Sequence, residues 1–343
     1  MKIKLLGMLG AVGMMFAGGQ AQAAGELHIY NWGNYTNPLL VEKFEKAYDV
    51  KVTIDDYDSN ETMLAKVKSG ATGYDIVVPG DYMIAIMISE GLLAKTDPYK
   101  MDNYKNVDPK WTNVYWDPKR EYSVPWQWGS TSFGVNTAAY DGDIDTLEIL
   151  FDPPEVLKGR INMLLDVNDV INAGLRYLDL PRCNENKEDL KKLNDMLLNS
   201  KQYWRTMSYE TIEKITSGDV DVTQNWNGAS MRARGQIPTI KYAYPREGYT
   251  GWMDNAAALK DAPNLENAKL FMNFIMDVEN AALISDFAKY ANGIMGSEKY
   301  LDAEFANAPE IKLPANAPAP EFVPPCSETV VKLYDKIWTN LQK

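Results

Sequence analysis

The sequence is poor in the residues that most metal and nucleophile chemistry requires. It has one histidine, His28, and two cysteines, Cys183 and Cys326, among 343 residues. No His/Cys metal cluster can be assembled from that set and there is no Cys-x-x-Cys pair, which argues against zinc enzymes and iron–sulfur proteins and for a chain without metal or cofactor. Positive charge is also short: 35 Lys+Arg against 47 Asp+Glu give a formal charge of -12. Such a chain suits neither a phosphate backbone nor an anionic lipid face, so no nucleic-acid or membrane-surface partner is expected. There is no Gly-x-Ser-x-Gly elbow, Walker loop, Gly-x-Gly-x-x-Gly or His-Glu-x-x-His. His28 is the single candidate imidazole base, and a satisfied or exposed strand histidine is the simpler reading. Asp141-Gly-Asp143-Ile-Asp145 looks like the start of a calcium loop. However, Thr146 stands at the sharp-turn glycine position and Asp152 at the bidentate glutamate position, so a solvated loop with Asp145 capping a helix is expected.

The chain is also short of long apolar runs. One, Leu5 to Gly18, follows Lys2 and Lys4 and ends in Gly-Gly-Gln-Ala-Gln-Ala, with Ala21 and Ala23 at the spacing of a small-residue cleavage site. Residues 1–23 read as a secretory signal peptide, and the run is too short for a full membrane span. Removing it takes two lysines away and leaves the mature chain still more acidic. Export changes the reading of Cys183 and Cys326. In an oxidising compartment they can form one structural disulfide, restricting the unfolded chain by about 4–5 kcal/mol on the chain-entropy model. Two buried free thiols are the alternative, and spacing does not decide between them.

What remains is an α/β pattern. Leu27–Tyr30 reads as a strand, Pro38–Tyr48 as a helix with proline in its first turn, and Val50–Asp56 as a strand. Asn60 is expected to cap a helix to Ser69, and Asp75–Pro79 reads as a β-branched strand before a helix over Tyr82–Glu90. A second series comprises strands at Phe133–Val135, Arg160–Leu165, Val220–Gln224 and Thr239–Tyr244. Its helices run over Val170–Leu178, Lys187–Asn199, Tyr209–Ser217 and Gly228–Arg234. Ala256–Leu259 and helices over Leu265–Met276 and Glu279–Lys289 resemble a return to the first series. A Pro/Ala tract, read as a surface loop, and a helix over Glu328–Leu341 close the chain. Two α/β series with more than one crossing predict two lobes joined by a hinge.

Aromatic residues recur beside carboxylates at the strand-to-helix junctions, where open α/β sheets bind ligands. Trp32 and Tyr35 follow the first strand, Asp81 and Tyr82 the third. Asp166 and Asp169 follow Ile161–Leu165, and Trp226 follows Val220–Gln224. Trp252 and Asp254 open the return segment, and Tyr290 ends a late helix. Any one of these is explained by packing; their recurrence in both series points to a site. Aromatic faces attract cations by roughly 0.5–2 kcal/mol each, and carboxylates give ammonium groups charge-assisted hydrogen bonds of about 1.5–3 kcal/mol. A slot of this composition suits a linear alkyl diamine or triamine.

At the level of whole motifs the sequence resembles the periplasmic polyamine (spermidine/putrescine) receptors of ABC transporters, over essentially all of the mature chain. The stretches that carry the resemblance are Leu27–Tyr35, Tyr57–Lys66, Tyr74–Pro79, Trp126–Asn136, Trp226–Ala229 and Trp252–Asp254. The resemblance implies a type II-like periplasmic-binding-protein fold, α/β in class, with a ligand cleft between hinged lobes and no catalysis. Residues 24–128 plus 250–297 are expected to form one lobe and 129–249 plus 298–343 the other. It implies that Trp32, Tyr35, Tyr82, Trp226, Trp252 and Tyr290 form an aromatic box, that Asp254 pairs with a ligand amine, and that Asp166 is a second acid. Asp169 falls where the family carries glutamate, and Asp81 adds a carboxylate where the family usually has a small neutral residue. Gly33, Asn34 and Gly80 replace hydroxyl or acidic residues. A closing glutamine is missing, its place falling near Pro324, and Ala229 stands where putrescine receptors place an aspartate.

The expected function is therefore a monomeric periplasmic receptor that captures a polyamine by lobe closure and delivers it to an inner-membrane ABC permease. A receptor for a sugar or another polar solute is the nearest alternative, and the excess of acids favours a cation. A secreted glycosidase using Asp166, Asp169 or Asp254 as a carboxylate pair is the reading from another class, and no motif ties those acids to catalysis.

Overall fold

Local signals set most helix starts. In the computed structural model, which describes residues 25–70 and 73–343, strand β1 (Gly25–Trp32) leads into helix α1 (Pro38–Tyr48). The Asn37 side chain accepts from the Leu39 N–H, Pro38 needs no hydrogen-bond partner for its nitrogen, and Asp49 ends the helix in the left-handed region at φ 53. Strand β2 (Val50–Tyr57) follows, then α2 (Asn60–Lys68), strand β3 (Ile76–Val77) and α3 (Asp81–Ser89). Ser59, rather than Asn60, caps α2 by accepting from the Thr62 N–H. Asn60 points instead toward α3, where it accepts from the Gly80 N–H and donates to the Tyr82 hydroxyl. The leader read over residues 1–23 lies outside the described residues.

The long strand β4 (Ser123–Asn136) opens a second set of elements: α4 (Glu148–Phe151), β5 (Ile161–Met163), α5 (Val167–Tyr177), α6 (Lys187–Lys201) and β6 (Trp204–Met207). After these come α7 (Thr211–Thr216), β7 (Val222–Trp226), α8 (Asn227–Gln236) and β8 (Ile240–Tyr242). The return is made by β9 (Thr250–Ala258), α9 (Leu265–Ile275) and α10 (Val278–Ala288), and the chain closes with α11 (Ala303–Asn307), β10 (Glu321–Phe322) and α12 (Glu328–Leu341).

The strands form one curled 10-stranded sheet in the order β2-β1-β3-β9-β4-β7-β5-β6, with β10 beside β9 and β8 beside β4. Parallel pairing holds within each end, β1 with β2 and β3, and β5 with β6 and β7. The middle is antiparallel. There β4 runs against β9 over its first half and against β7 over its second, with Thr131 paired to both Thr250 and Trp226. One hydrophobic core packs Leu27, Ile29, Phe44, Trp126, Met253 and Phe271; a separate one packs Phe133, Val135, Ile161, Leu193, Val222 and Tyr334. Strand β4 thus contributes Trp126 to one core and Phe133 to the other. Sequence patterning found only Phe133–Val135 of this strand. The strand is buried along nearly its whole length, so apolar and polar residues do not alternate, and Pro125, Gly129 and Gly134 mimic turns.

Other readings shift for identifiable reasons. Asp145 caps no helix: its carboxylate accepts from the Tyr244 N–H, while Asp143 pairs with Arg246. The Pro/Ala tract is more than a surface loop, because Glu321 and Phe322 add to β9 in parallel and Phe322 packs on Trp111 and Trp116. His28 sits on β1 with its ring 3.3 Å from the Glu26 carboxylate. Among the described residues no helix is long and apolar enough to cross a membrane.

Cys183 and Cys326 are joined by a disulfide, with their Cα atoms 5.3 Å apart. It ties the loop between α5 and α6 to the segment that enters α12, whose Val330, Tyr334, Ile337 and Leu341 complete the second core. Thiol titration of the unfolded, unreduced protein should find neither cysteine free. The double variant Cys183→Ser with Cys326→Ser should lower the unfolding free energy by about 2–5 kcal/mol in a denaturant titration. Two free thiols in the unreduced chain would contradict the bond.

Candidate functional site

A cleft of about 320 Å³ opens where the two sets of elements meet. Every aromatic and acid singled out from the sequence lines it: Trp32, Tyr35, Asp81, Tyr82, Asp166, Asp169, Trp226, Trp252, Asp254 and Tyr290. Their positions follow from the topology. Trp32 is the last residue of β1 and Trp226 the last of β7, so both stand at carboxyl ends of parallel strands. Asp81 is the first residue of α3, and Asp166 is the N-cap of α5, accepting from the Asp169 N–H at 2.9 Å. Trp252 and Asp254 depart from the strand-end rule: they lie within antiparallel β9 rather than at its end.

Rigid partners fix the side chains. The Trp32 indole N–H and the Tyr57 hydroxyl both donate to the Val78 carbonyl, at 2.9 and 2.8 Å. The Tyr35 hydroxyl donates to Asp254 Oδ2 at 2.7 Å. Tyr290, just past α10, stands edge-on to Trp252 and Tyr35, at ring separations of 5.2 and 5.9 Å, and Trp226 lies parallel to Tyr209. Two glycines permit this packing. A Cβ at Gly129 of β4 would lie 2.8 Å from the Trp252 ring, and one at Gly228 of α8 2.5 Å from the Tyr290 ring. Beneath β9, the fully buried Arg120 donates to Asn255 Oδ1 and Ser123 Oγ and lies against Met253, so the residues flanking Asp254 are held from below.

The acids come in two pairs, one from each set of elements. Asp81 and Asp254 are 2% and 8% exposed. Burial pushes the Asp254 carboxyl up to about 8, and the negative charge of Asp81 adds to the rise while the Tyr35 hydrogen bond opposes it. Burial pushes Asp81 up to about 7, against the Tyr115 hydrogen bond. The Tyr115 hydroxyl lies 3.0 Å from both Asp81 Oδ2 and the Val323 carbonyl oxygen. One hydroxyl proton cannot serve two acceptors, so a protonated Asp81 that donates to Tyr115 satisfies all three groups. In the second pair, burial and then the neighbouring Glu61 carboxylate raise Asp166 to about 6. Burial and then Asp166 raise Asp169. The rim between the two sets is bridged by Asn168, whose amide nitrogen lies 3.4 Å from both Tyr82 Oη and Glu61 Oε1.

Sequence reasoning missed several lining residues, notably Tyr57, Asp58, Asn168, Tyr209, Arg182 and Arg232. Tyr57 and Asp58 obey the strand-end rule, since Tyr57 ends β2. The arginines gave no signal, one lying in a loop and the other inside α8. Of the positions where the chain departs from the resembled family, Gly33, Asn34 and Gly80 line the cleft, Pro324 offers its carbonyl to Arg182, and Ala229 is buried without reaching the lining.

Comparison with known proteins agrees with this architecture. The family described as bacterial extracellular solute-binding protein matches residues 40–313. The chain is 33% identical to the putrescine-binding periplasmic protein SpuD of Pseudomonas aeruginosa, over 85% of each chain. It is 32% identical to the spermidine/putrescine-binding periplasmic protein of Escherichia coli, over 87% of this chain and 86% of that one. The substrate-binding protein PotD of a spermidine/putrescine ABC transporter from Streptococcus pneumoniae has the same two-lobe fold, with a TM-score of 0.79 at 24% identity over 93% of this chain and 99% of that one. The chain belongs to the bacterial extracellular solute-binding protein family.

The raised acids set a pH dependence for the empty cleft. An unfolded aspartate titrates near 3.9, whereas folded Asp254 titrates near 8. Between those values the folded chain holds more protons than the unfolded one, so this group lowers stability as pH rises. Asp254→Asn does not titrate and still accepts from Tyr35. In denaturant unfolding of unliganded protein it should gain stability relative to wild type as pH rises from about 4 to about 8, by up to about 1.4 kcal/mol per pH unit. Parallel stability curves for the two proteins would contradict the assignment.

Proposed function

We propose that this member of the solute-binding family is the periplasmic receptor of a polyamine ABC transporter. In this reading the protein is exported by a cleaved leader and works as a monomer. It closes residues 24–128 plus 250–297 and residues 129–249 plus 298–343 over spermidine or putrescine, and delivers the ligand to an inner-membrane permease. It performs no chemistry on what it carries. Polyamine binding is the activity named for the two curated relatives.

The observation that carries this reading is the pair of carboxylate pairs, Asp81 with Asp254 and Asp166 with Asp169, contributed by opposite sides of an aromatic-walled cleft. Each pair repels itself and loses solvation when buried, and a ligand ammonium relieves both costs. The methylenes between the ammoniums then lie against Trp32, Trp226, Trp252 and Tyr290, where the rings exclude water and attract the adjacent charge. A sugar offers no charge to either pair, which disfavours that alternative. Asn168, already at the Tyr82 and Glu61 side of the rim, is placed to be drawn in as the second pair is neutralised.

Titration calorimetry with putrescine, cadaverine, agmatine, spermidine and spermine should give saturable binding to at least one amine. Asp254→Asn should weaken the best of them by about ten- to a hundredfold, the loss of one charge-assisted hydrogen bond, while exposed Asp261→Ala leaves affinity unchanged. Absence of heat and of thermal shift with every amine contradicts the reading, and turnover of chromogenic glycosides by the same protein favours the glycosidase.

A further inference from the structure

We propose that the preferred ligand is a polyamine bearing one carboxylate, and that Arg232 is the residue that reads this group. The proposal rests on the amine-binding reading above and narrows it. Arg232 lies on α8, the helix that begins after Trp226, and it lines the cleft. Its helix neighbour Arg234 is fully committed, with both ends of its guanidinium on the Glu310 carboxylate at 2.7 and 3.0 Å. Arg182, the other cleft arginine, donates from Nε to Asn172 Oδ1 at 3.2 Å and from Nη1 to the Pro324 carbonyl. Arg232 differs from both. It forms no ion pair among the described residues, its Nε is buried without a hydrogen-bond partner, and its positive charge lies near Tyr290, where it works against the burial that raises that hydroxyl.

A guanidinium N–H buried beside a ligand cleft without an acceptor is rare, because the group loses solvation there without gaining a hydrogen bond. Among the described residues no cleft acid pairs with Arg232: Asp254 accepts from Tyr35, Asp81 lies against the Tyr115 hydroxyl, and Asp166 accepts from the Asp169 N–H. A ligand made only of ammoniums would bring like charge next to Arg232. A carboxylate on the same chain matches the planar fork of the guanidinium and leaves the ammoniums free to meet the two aspartate pairs. Tyr290 stands against Trp252 and against Tyr35, the Asp254 donor, so the carboxylate would sit at the Asp254 side of the cleft.

The test is titration calorimetry on the full exported chain with putrescine and with N-(2-carboxyethyl)putrescine, which keeps both nitrogens and adds one carboxylate. Wild type should bind the carboxylated amine about ten- to a hundredfold more tightly. Arg232→Gln should abolish that preference by weakening the carboxylated amine while leaving putrescine unchanged or strengthened. Equal or tighter binding of plain putrescine by wild type overturns this proposal and leaves the polyamine reading standing, as does an equal loss for both ligands in Arg232→Gln. Failure of both ligands, together with the rest of the amine panel, overturns both readings. The wild-type ranking needs no variant, so the proposal is decided even where Arg232→Gln does not fold.

Discussion

Carboxylates buried without a fixed counter-charge dominate the design of this protein. Asp81 and Asp254 are almost completely removed from solvent, face each other's charge, and have only hydroxyl and backbone donors as partners. That arrangement is unfavourable in the empty cleft and becomes favourable when a cation enters. In the proposed reading Asp254 keeps its proton at neutral pH until a ligand ammonium displaces it, and the free energy lost in burying the acid is recovered on binding. Aromatic rings held by the Val78 carbonyl and by close approach over Gly129 and Gly228 keep water away from the same groups.

The backbone makes that arrangement possible. Two antiparallel strands, β4 and β9, run through the centre of the curled sheet; β4 contributes to both hydrophobic cores and β9 to the first. Because Thr131 pairs with β9 on one side and β7 on the other, the place where one core gives way to the next is also the floor of the cleft. The lobe closure proposed above would need a change in twist at only these few residues to reorient the elements that carry Asp166 and Asp169 relative to those that carry Asp81 and Asp254. The disulfide and α12 tie the second core together on the far side of these strands.

Much of the site was legible because parallel strands end where ligands bind. Trp32, Asp81, Asp166 and Trp226 each follow a short apolar run that ends abruptly, and that local pattern survives without tertiary information. Trp252 and Asp254 were picked out as opening the return segment, and the family resemblance supplied their roles; they sit within an antiparallel strand, where the strand-end rule is silent. The central strand β4 was mostly invisible, since burial on both faces erases alternation and its glycines and proline read as breaks. Ser59 displaced Asn60 as a cap because the asparagine is occupied by Gly80 and Tyr82, partners remote in sequence. Arg232 could not be found at all: an arginine inside a helix is ordinary until the fold shows that it forms no ion pair among the described residues.

The central claim is that a ligand ammonium replaces the proton on the cleft acids. It is tested most directly by following the Asp254 carboxyl carbon by NMR across pH, with and without a saturating amine ligand. The midpoint should be about 8 in the empty protein and fall below neutrality on binding, with a proton released at pH 7. A midpoint already in the ordinary aspartate range without ligand, or one that does not move when ligand binds, would contradict it.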